Sequence, residues 1–164
     1  MNAAAKHAVV IPGENYGPLA GLLAYVGEAA ARRGARLELI SWTPPPGRTL
    51  EERPPWVREQ VAPVVDGFAA PLLIGKSLGS LAAAVAAERG LAGVWLTPLL
   101  TMSACVAALR RATEPFLLVG GTADDFWDGA VARELTPYVL EVEAPTTACC
   151  CRGRSPGAPR SSVG

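Results

Sequence analysis

Residues 72–80 read Leu-Leu-Ile-Gly-Lys-Ser-Leu-Gly-Ser, an apolar run that ends in a serine between two glycines. The apolar run predicts a buried strand, and the alanine-rich residues 80–89 that follow predict a helix. A G-x-S-x-G pattern between a strand and a helix is typical of a sharp, strained turn that lifts the serine above the sheet edge. Ser77 is therefore a candidate nucleophile, and the backbone N–H of Leu78 is a candidate oxyanion donor at the helix start.

Two other interpretations fit parts of this stretch. A tight turn with a capping serine would explain the residues without any chemistry. A phosphate-binding loop is suggested by Gly75-Lys76-Ser77, which matches the end of G-x-x-x-x-G-K-[ST]. Its first glycine would stand at position 70, which is Ala70, and an apolar run occupies residues 71–74 where the loop should be. We therefore reject nucleotide binding.

Short apolar runs alternate with helical patterns on both sides of this motif. The predicted strands are residues 7–11, 36–42, 71–74, 91–96, 115–119 and 138–142, and the predicted helices are residues 19–33, 56–65, 80–89, 102–111 and 127–135. Residues 43–55 contain five prolines, which excludes them from helices and sheet interiors and predicts a surface loop. Apolar strands separated by helices predict an α/β fold, in which a parallel sheet is flanked by helices in three layers.

Length and composition exclude several classes of protein. The chain has 164 residues, enough for one domain with one core. Fifteen Lys and Arg balance fifteen Asp and Glu, so we expect no nucleic-acid partner. Half of the residues are apolar (50%) and mean hydropathy is +0.25, which excludes a disordered chain. The uncharged residues 91–109 include polar residues and a proline, and they predict a strand and a helix rather than a bilayer span, so we expect no membrane partner.

The N-terminus and the cysteines indicate a cytoplasmic protein. Residues 1–7 contain no apolar core of signal-peptide length. Cys105 stands alone and Cys149, Cys150 and Cys151 are adjacent, so neither a disulfide framework nor the spacing of a zinc site is present. We expect no metal and no cofactor.

With the nucleophile motif in place, the chain resembles a small α/β-hydrolase without a lid domain, of the serine-esterase type. The resemblance covers residue 5 to about residue 144 and implies a triad of serine, acid and histidine. The family's G-x-x-D pattern falls on Gly121 to Asp124, which makes Asp124 the implied acid and Asp125 the second choice. Asp128 is better placed to cap the next helix. Helix-start carboxylates are the alternative interpretation of these aspartates.

The resemblance also places other parts of the site. The loop after the first strand is where the family provides the second oxyanion donor, which implies Gly13 and Glu14, although the glycines of this loop could equally serve only to turn the chain. Thr97 and Pro98 follow another strand and could line the pocket or merely cap the strand. The substrate would be a small molecule with an ester or similar acyl bond.

The triad histidine is missing from the sequence. The one histidine, His7, opens the first strand, whereas Ser77 follows the far end of its own strand. Four or five residues at about 3.3 Å each separate these edges by roughly 13 to 16 Å, so His7 cannot act as the base. The family's histidine follows the last strand, where this chain has residues 144–151, Ala-Pro-Thr-Thr-Ala-Cys-Cys-Cys.

A shifted reading frame would explain that departure. If Pro145, Thr146 and Thr147 are encoded by CCG, ACC and ACG, the frame that starts at the third proline base reads Asp-His-Gly. Across the cysteine codons the same frame continues, after one apolar residue, as Leu-Leu. We hypothesise that residues 145–164 are a disordered or aberrant tail out of frame with a hydrolase domain in residues 1–144, and that the closing C-terminal helix is missing. The chain as it stands is then a weak or inactive hydrolase, and a non-catalytic hydrolase-like binding scaffold is the alternative. The sequence does not indicate the oligomeric state.

Overall fold

The computed structural model describes residues 6–143, which form a parallel sheet with helices on both faces. Its six strands are β1 (Lys6–Ile11), β2 (Ala35–Leu39), β3 (Leu72–Lys76), β4 (Gly93–Leu96), β5 (Phe116–Gly121) and β6 (Val139–Val142). Its five α-helices are α1 (Gly21–Arg32), α2 (Pro54–Val65), α3 (Ala83–Arg89), α4 (Ser103–Arg110) and α5 (Gly129–Leu135). The strand order is β2-β1-β3-β4-β5-β6, and every neighbouring pair is parallel. The predicted α/β class is confirmed.

Several element boundaries differ from the prediction. Strand β2 ends at Leu39 rather than at residue 42, so Trp42 lies in the connection that follows it. Helix α2 begins at Pro54, so Pro54 and Pro55 belong to its first turn rather than to the preceding loop. Proline is tolerated there because the first N–H groups of a helix have no partner within the helix. The helix predicted over residues 80–89 is α-helical only from Ala83, because Ser77–Ala82 form a tighter 3-10 helix directly after β3.

The larger core lies on one face of the sheet, beneath α2, α3 and α4. Its largest fully buried side chain is Trp95 of β4, which packs among Leu73, Val85 and Leu118. Glycine at position 93 leaves room for that indole, since a Cβ there would lie 2.6 Å from Trp95. The packing fixes the middle strands, whose carboxyl ends carry the candidate site.

The opposite face is only partly covered in the described residues. The apolar cluster there takes all of its helical residues from α1, including Leu23 and Val26. Strand β6 turns Val139 towards the larger core, and alternation along the strand therefore puts Leu140 and Val142 on the opposite face. These two side chains are 54% and 45% exposed. The helix predicted to be missing, the tail and the division of the chain at residue 144 all concern residues 144–164, which lie outside the described part.

We expect the exposed apolar face of β6 to bind a hydrophobic fluorescent dye, because contiguous exposed apolar surface is a binding site for such probes. Replacing both residues (Leu140→Lys and Val142→Lys) should reduce dye fluorescence and change the free energy of unfolding by less than about 1 kcal/mol, since both side chains are exposed. Leu19→Lys is the matched control, because Leu19 is 70% exposed but lies outside β6. Equal fluorescence from the parent and the double variant would contradict this assignment.

Within residues 6–143, no helix combines the length and the apolar character needed to cross a bilayer. The parallel arrangement has a more direct consequence for function. The carboxyl ends of all six strands meet at one edge of the sheet, so the loops that follow β1, β3, β4 and β5 lie together.

Candidate active site

Ser77 occupies a strained turn at the carboxyl end of β3. Its φ is +49°, in the left-handed region that non-glycine residues rarely adopt. Strain of this kind persists only where the surrounding structure enforces it, and such residues cluster at functional sites. Ser77 is partly exposed, whereas its neighbours Lys76 and Leu78 are buried. The turn therefore leaves Ser77 partly accessible to solvent at the sheet edge.

Close backbone contacts enforce the turn and explain its two glycines. A Cβ at Gly75 would lie 2.5 Å from the carbonyl oxygen of Gly79. A Cβ at Gly79 would lie 2.6 Å from the carbonyl oxygen of Ile11 and 2.7 Å from that of Pro12. Gly75 is therefore required by the close approach of the 3-10 helix to β3, and Gly79 by the close approach of that helix to the end of β1.

The Ser80 hydroxyl holds the backbone of the Ser77 turn through two hydrogen bonds. It donates to the carbonyl oxygen of Ser77 at 2.6 Å and accepts the N–H of Leu99 at 3.1 Å. Ser80 is fully buried, and these bonds link the turn to the loop after β4. This role could not be predicted from the sequence, because a serine at the start of a helix pattern gives no sign of a partner nineteen residues away.

Cys105 lies behind Ser80, with its sulfur 3.8 Å from the Ser80 hydroxyl oxygen. Burial raises the pKa of the Cys105 thiol to about 11. We therefore expect Cys105 to resist iodoacetamide at pH 8 in the folded protein, because only about one thiol in a thousand is ionised there. Peptide mapping should find it modified only after denaturation, and rapid modification of the native protein would show that the site is open to solvent.

The loop after β1 packs directly against the serine. A Cβ at Gly13 would lie 3.6 Å from the Cβ of Ser77 and 3.5 Å from the carbonyl oxygen of Lys76. The Trp42 indole N–H donates to the carbonyl oxygen of Gly13 at 3.0 Å, and the Arg53 guanidinium pairs with Glu14 at 2.8 Å. Gly13 and Glu14 are among the candidate residues predicted above. Trp42 and Arg53, which lie in the connection after β2, are not.

The buried ammonium group of Lys76 lies against the same loop after β1. Lys76 is 3% exposed, and its ammonium nitrogen is 4.6 Å from the centre of the Tyr16 ring. Tyr16 and Trp42 line a cavity of about 280 Å³ on the outer side of the Gly13 loop, together with Pro12, Glu14, Asn15, Gly17, Pro18 and Ser41. Ser77 is not among the lining residues, so this cavity adjoins the candidate nucleophile without containing it.

Asp124 is buried in the loop after β5, two strands away from Ser77. It is 6% exposed, and its carboxylate accepts the N–H of Phe126 at 2.9 Å. Asp125 is exposed, whereas Asp128 caps α5 by accepting the N–H groups of Ala130 and Val131, as predicted. Two strand spacings amount to roughly 10 Å, so a further side chain is needed to connect Asp124 with Ser77.

Thr97 lies between these two positions, directly after β4. Its φ is +43°, and its N–H donates to the carbonyl oxygen of Val119 at 2.7 Å. The Thr97 hydroxyl oxygen is buried and has no hydrogen-bond partner within residues 6–143. The neighbouring Pro98 is buried. Strained backbone therefore marks the ends of two adjacent strands at this edge.

Solved structures with the same arrangement identify the fold. A putative hydrolase of the α/β superfamily from Xanthomonas campestris is 23% identical, with a TM-score of 0.67 over 85% of this chain and 87% of that one. Est1E from Butyrivibrio proteoclasticus is 14% identical, with a TM-score of 0.68 over 91% and 82%. An α/β serine hydrolase homologue from Coxiella burnetii is 12% identical, with a TM-score of 0.64 over 87% and 77%. The chain has the α/β-hydrolase fold.

At these identities the likeness establishes the fold and leaves the activity to be argued from the residues. No protein-family model matches the sequence, and no curated protein matches it significantly. Among residues 6–143, no group of three His, Cys, Asp or Glu side chains converges as metal ligands.

The histidine of the chain lies at the wrong end of the sheet for a hydrolase triad. His7 is near the start of β1, and its ring stacks on Phe68 with centroids 4.4 Å apart. Ser77 follows the carboxyl end of β3, which is parallel to β1. The position at which the sequence resemblance predicts the base, residues 144–151, lies outside the described residues.

Proposed function

We propose that the chain is a serine hydrolase that cleaves a small ester or similar acyl bond through Ser77, and that it is impaired because it lacks a triad base. The observation that carries the proposal is the left-handed backbone of Ser77 at the end of β3. An ordinary turn does not need a non-glycine residue at a left-handed position. A turn that presents a nucleophile does need one, because the serine side chain is the reacting group. An esterase from Pyrococcus furiosus and the putative hydrolase from Xanthomonas campestris are among the structural neighbours, and they support the same chemistry.

The proposed reaction has two steps. The Ser77 hydroxyl oxygen attacks the carbonyl carbon, and the electron pair of the C=O bond moves to oxygen, where the N–H of Leu78 and an N–H of the Gly13–Glu14 loop stabilise the charge. The C=O bond then re-forms as the C–O bond to the alcohol breaks, and an acyl group remains on Ser77. The alcohol takes up one proton, which balances the proton that Ser77 gives up. Water attacks this acyl-enzyme in the second step and releases the acid.

A base is needed in both steps. In the complete triad, histidine takes the proton of the serine and later that of water, while the acid orients it. Asp124 is our proposed acid, and its buried carboxylate is held by the loop after β5. Without histidine, the Ser77 proton passes to solvent, which limits the chain to esters with good leaving groups and makes hydrolysis of the acyl-enzyme slow.

A fluorophosphonate probe tests the proposal. We expect one phosphonate per chain, mapped by peptide mass spectrometry to Ser77, and no label on Ser77→Ala. The Ser80→Ala variant would report on folding rather than on the nucleophile, so Ser103→Ala, on exposed α4 surface, is the matched control. Prolonged exposure to the probe without modification of Ser77 would overturn the proposal.

The missing base favours one second candidate, a non-catalytic binding scaffold. That function would use the same sheet edge and its adjoining cavity to hold a small molecule, with Ser77 unreactive. A folded chain that never reacts at Ser77 is the result expected of such a scaffold.

A further inference from the structure

We infer that Trp42 is a positioning residue for the oxyanion hole: its indole N–H fixes the Gly13 carbonyl and so directs the Glu14 N–H towards a carbonyl oxygen bound at Ser77. The inference rests on the proposed function, because an oxyanion forms only if Ser77 reacts. Glu14 would be the donor, and Trp42 would act through the backbone without touching the substrate.

The direction of the Glu14 N–H follows from the peptide bond. The indole nitrogen of Trp42 is 3.0 Å from the carbonyl oxygen of Gly13, which belongs to the peptide that joins Gly13 to Glu14. This peptide is trans, so its C=O and N–H point in opposite directions. The hydrogen bond therefore turns the N–H of Glu14 away from Trp42.

The same peptide lies beside the nucleophile. Gly13 is buried, and a side chain there would meet the Cβ of Ser77 at 3.6 Å. An oxyanion donor must lie close to the serine and be held before the charge develops. Gly13 meets the first condition, and the bond from Trp42 meets the second.

Further contacts hold both the Trp42 ring and the loop that carries Gly13 and Glu14. The Trp42 ring packs at 5.0 Å and 49° against Trp56 of α2. The side chain of Arg53 is 7% exposed and pairs with the Glu14 carboxylate at 2.8 Å. Two successive residues of the loop are thus attached to the segment that follows β2, which leaves the peptide between them little freedom to rotate.

The experiment measures how fast a fluorophosphonate modifies Ser77 in the full chain, over a range of probe concentrations. Trp42→Phe keeps the ring contact with Trp56 and removes the N–H donor. We expect its limiting rate of modification to fall about 10- to 100-fold, as for a poorly placed oxyanion donor, with the half-saturating probe concentration unchanged. Trp56→Phe is the matched control, since it changes the other ring of the pair, keeps an aromatic ring against Trp42 and leaves the bond to Gly13 in place, so it should react at the parent rate.

Each outcome has a distinct meaning. Equal limiting rates for the parent and Trp42→Phe, or equal losses in Trp42→Phe and Trp56→Phe, would overturn the role of Trp42. A parent chain that is not modified at Ser77 would instead overturn the proposed function. The amide signal of Glu14 in ¹⁵N-labelled protein provides a second readout, because phosphonylation should shift it in the parent and much less in Trp42→Phe.

Discussion

A chain with residues 1–144 unchanged, whose reading frame is then shifted to start at the third base of the Pro145 codon, is expected to hydrolyse activated esters about 10⁴- to 10⁶-fold faster than the present chain. The gain would come from an Asp-His-Gly sequence after β6, whose histidine could take the proton of Ser77 while Asp124 orients it. Steady-state hydrolysis of p-nitrophenyl acetate measures the difference.

Ser77→Ala supplies the control in both frames. Triad residues act as a unit, so this substitution should abolish the gain in the frame-restored chain and change the residual rate of the present chain only slightly. Resequencing the gene through codons 140 to 164 tests the origin of the change. A confirmed frame, together with a frame-restored chain that gains no activity, would show the hypothesis to be wrong.

Gly79→Ala is expected to destabilise the protein by about 3 kcal/mol, near the upper end of the usual cost of overpacking. The added Cβ would lie 2.6 Å from the carbonyl oxygen of Ile11 and 2.7 Å from that of Pro12. Both oxygens belong to backbone that cannot move without displacing the end of β1. Denaturant-induced unfolding measures the loss, and the rate of phosphonate modification at Ser77 should fall with it.

Gly17→Ala is the matched control for this prediction. It changes the same residue type in the loop after β1, but a Cβ there meets nothing within 4 Å. Its free energy of unfolding should stay within about 0.5 kcal/mol of the parent value. If Gly79→Ala unfolds at the parent denaturant concentration, the close approach of the turn to β1 is not present in solution.

The sequence was sufficient to predict the parts of the molecule that depend on local pattern. Alternating apolar runs and helical segments predicted each strand and helix, because periodicity along the chain reports which face is buried. The turn at Ser77 could be predicted because its signal is also local: a glycine stands two residues before the serine and another two residues after it. Boundaries were harder, as Pro54 shows: proline both ends loops and begins helices.

The contacts that hold the candidate site could not be predicted, because they join residues far apart in sequence. Trp42 bonds to Gly13 across 29 positions, and Arg53 reaches Glu14 across 39. In the sequence, Trp42 closes the strand predicted over residues 36–42, and Arg53 belongs to a proline-rich connection that carries no periodic signal. Their role depends on how this connection packs over the end of β1, which is a property of the folded chain.

The central claim is that Ser77 is an acyl-accepting nucleophile, and trapping of the acyl-enzyme tests it most directly. The chain is mixed with p-nitrophenyl acetate, quenched in acid and digested, and the acetylated residue is located by mass spectrometry. Because a missing base slows hydrolysis of the acyl-enzyme more than attack on an activated ester, we expect a long-lived acetyl group on Ser77 and none in Ser77→Ala. Acetylation confined to lysine or cysteine side chains, with Ser77 unmodified, would contradict the account.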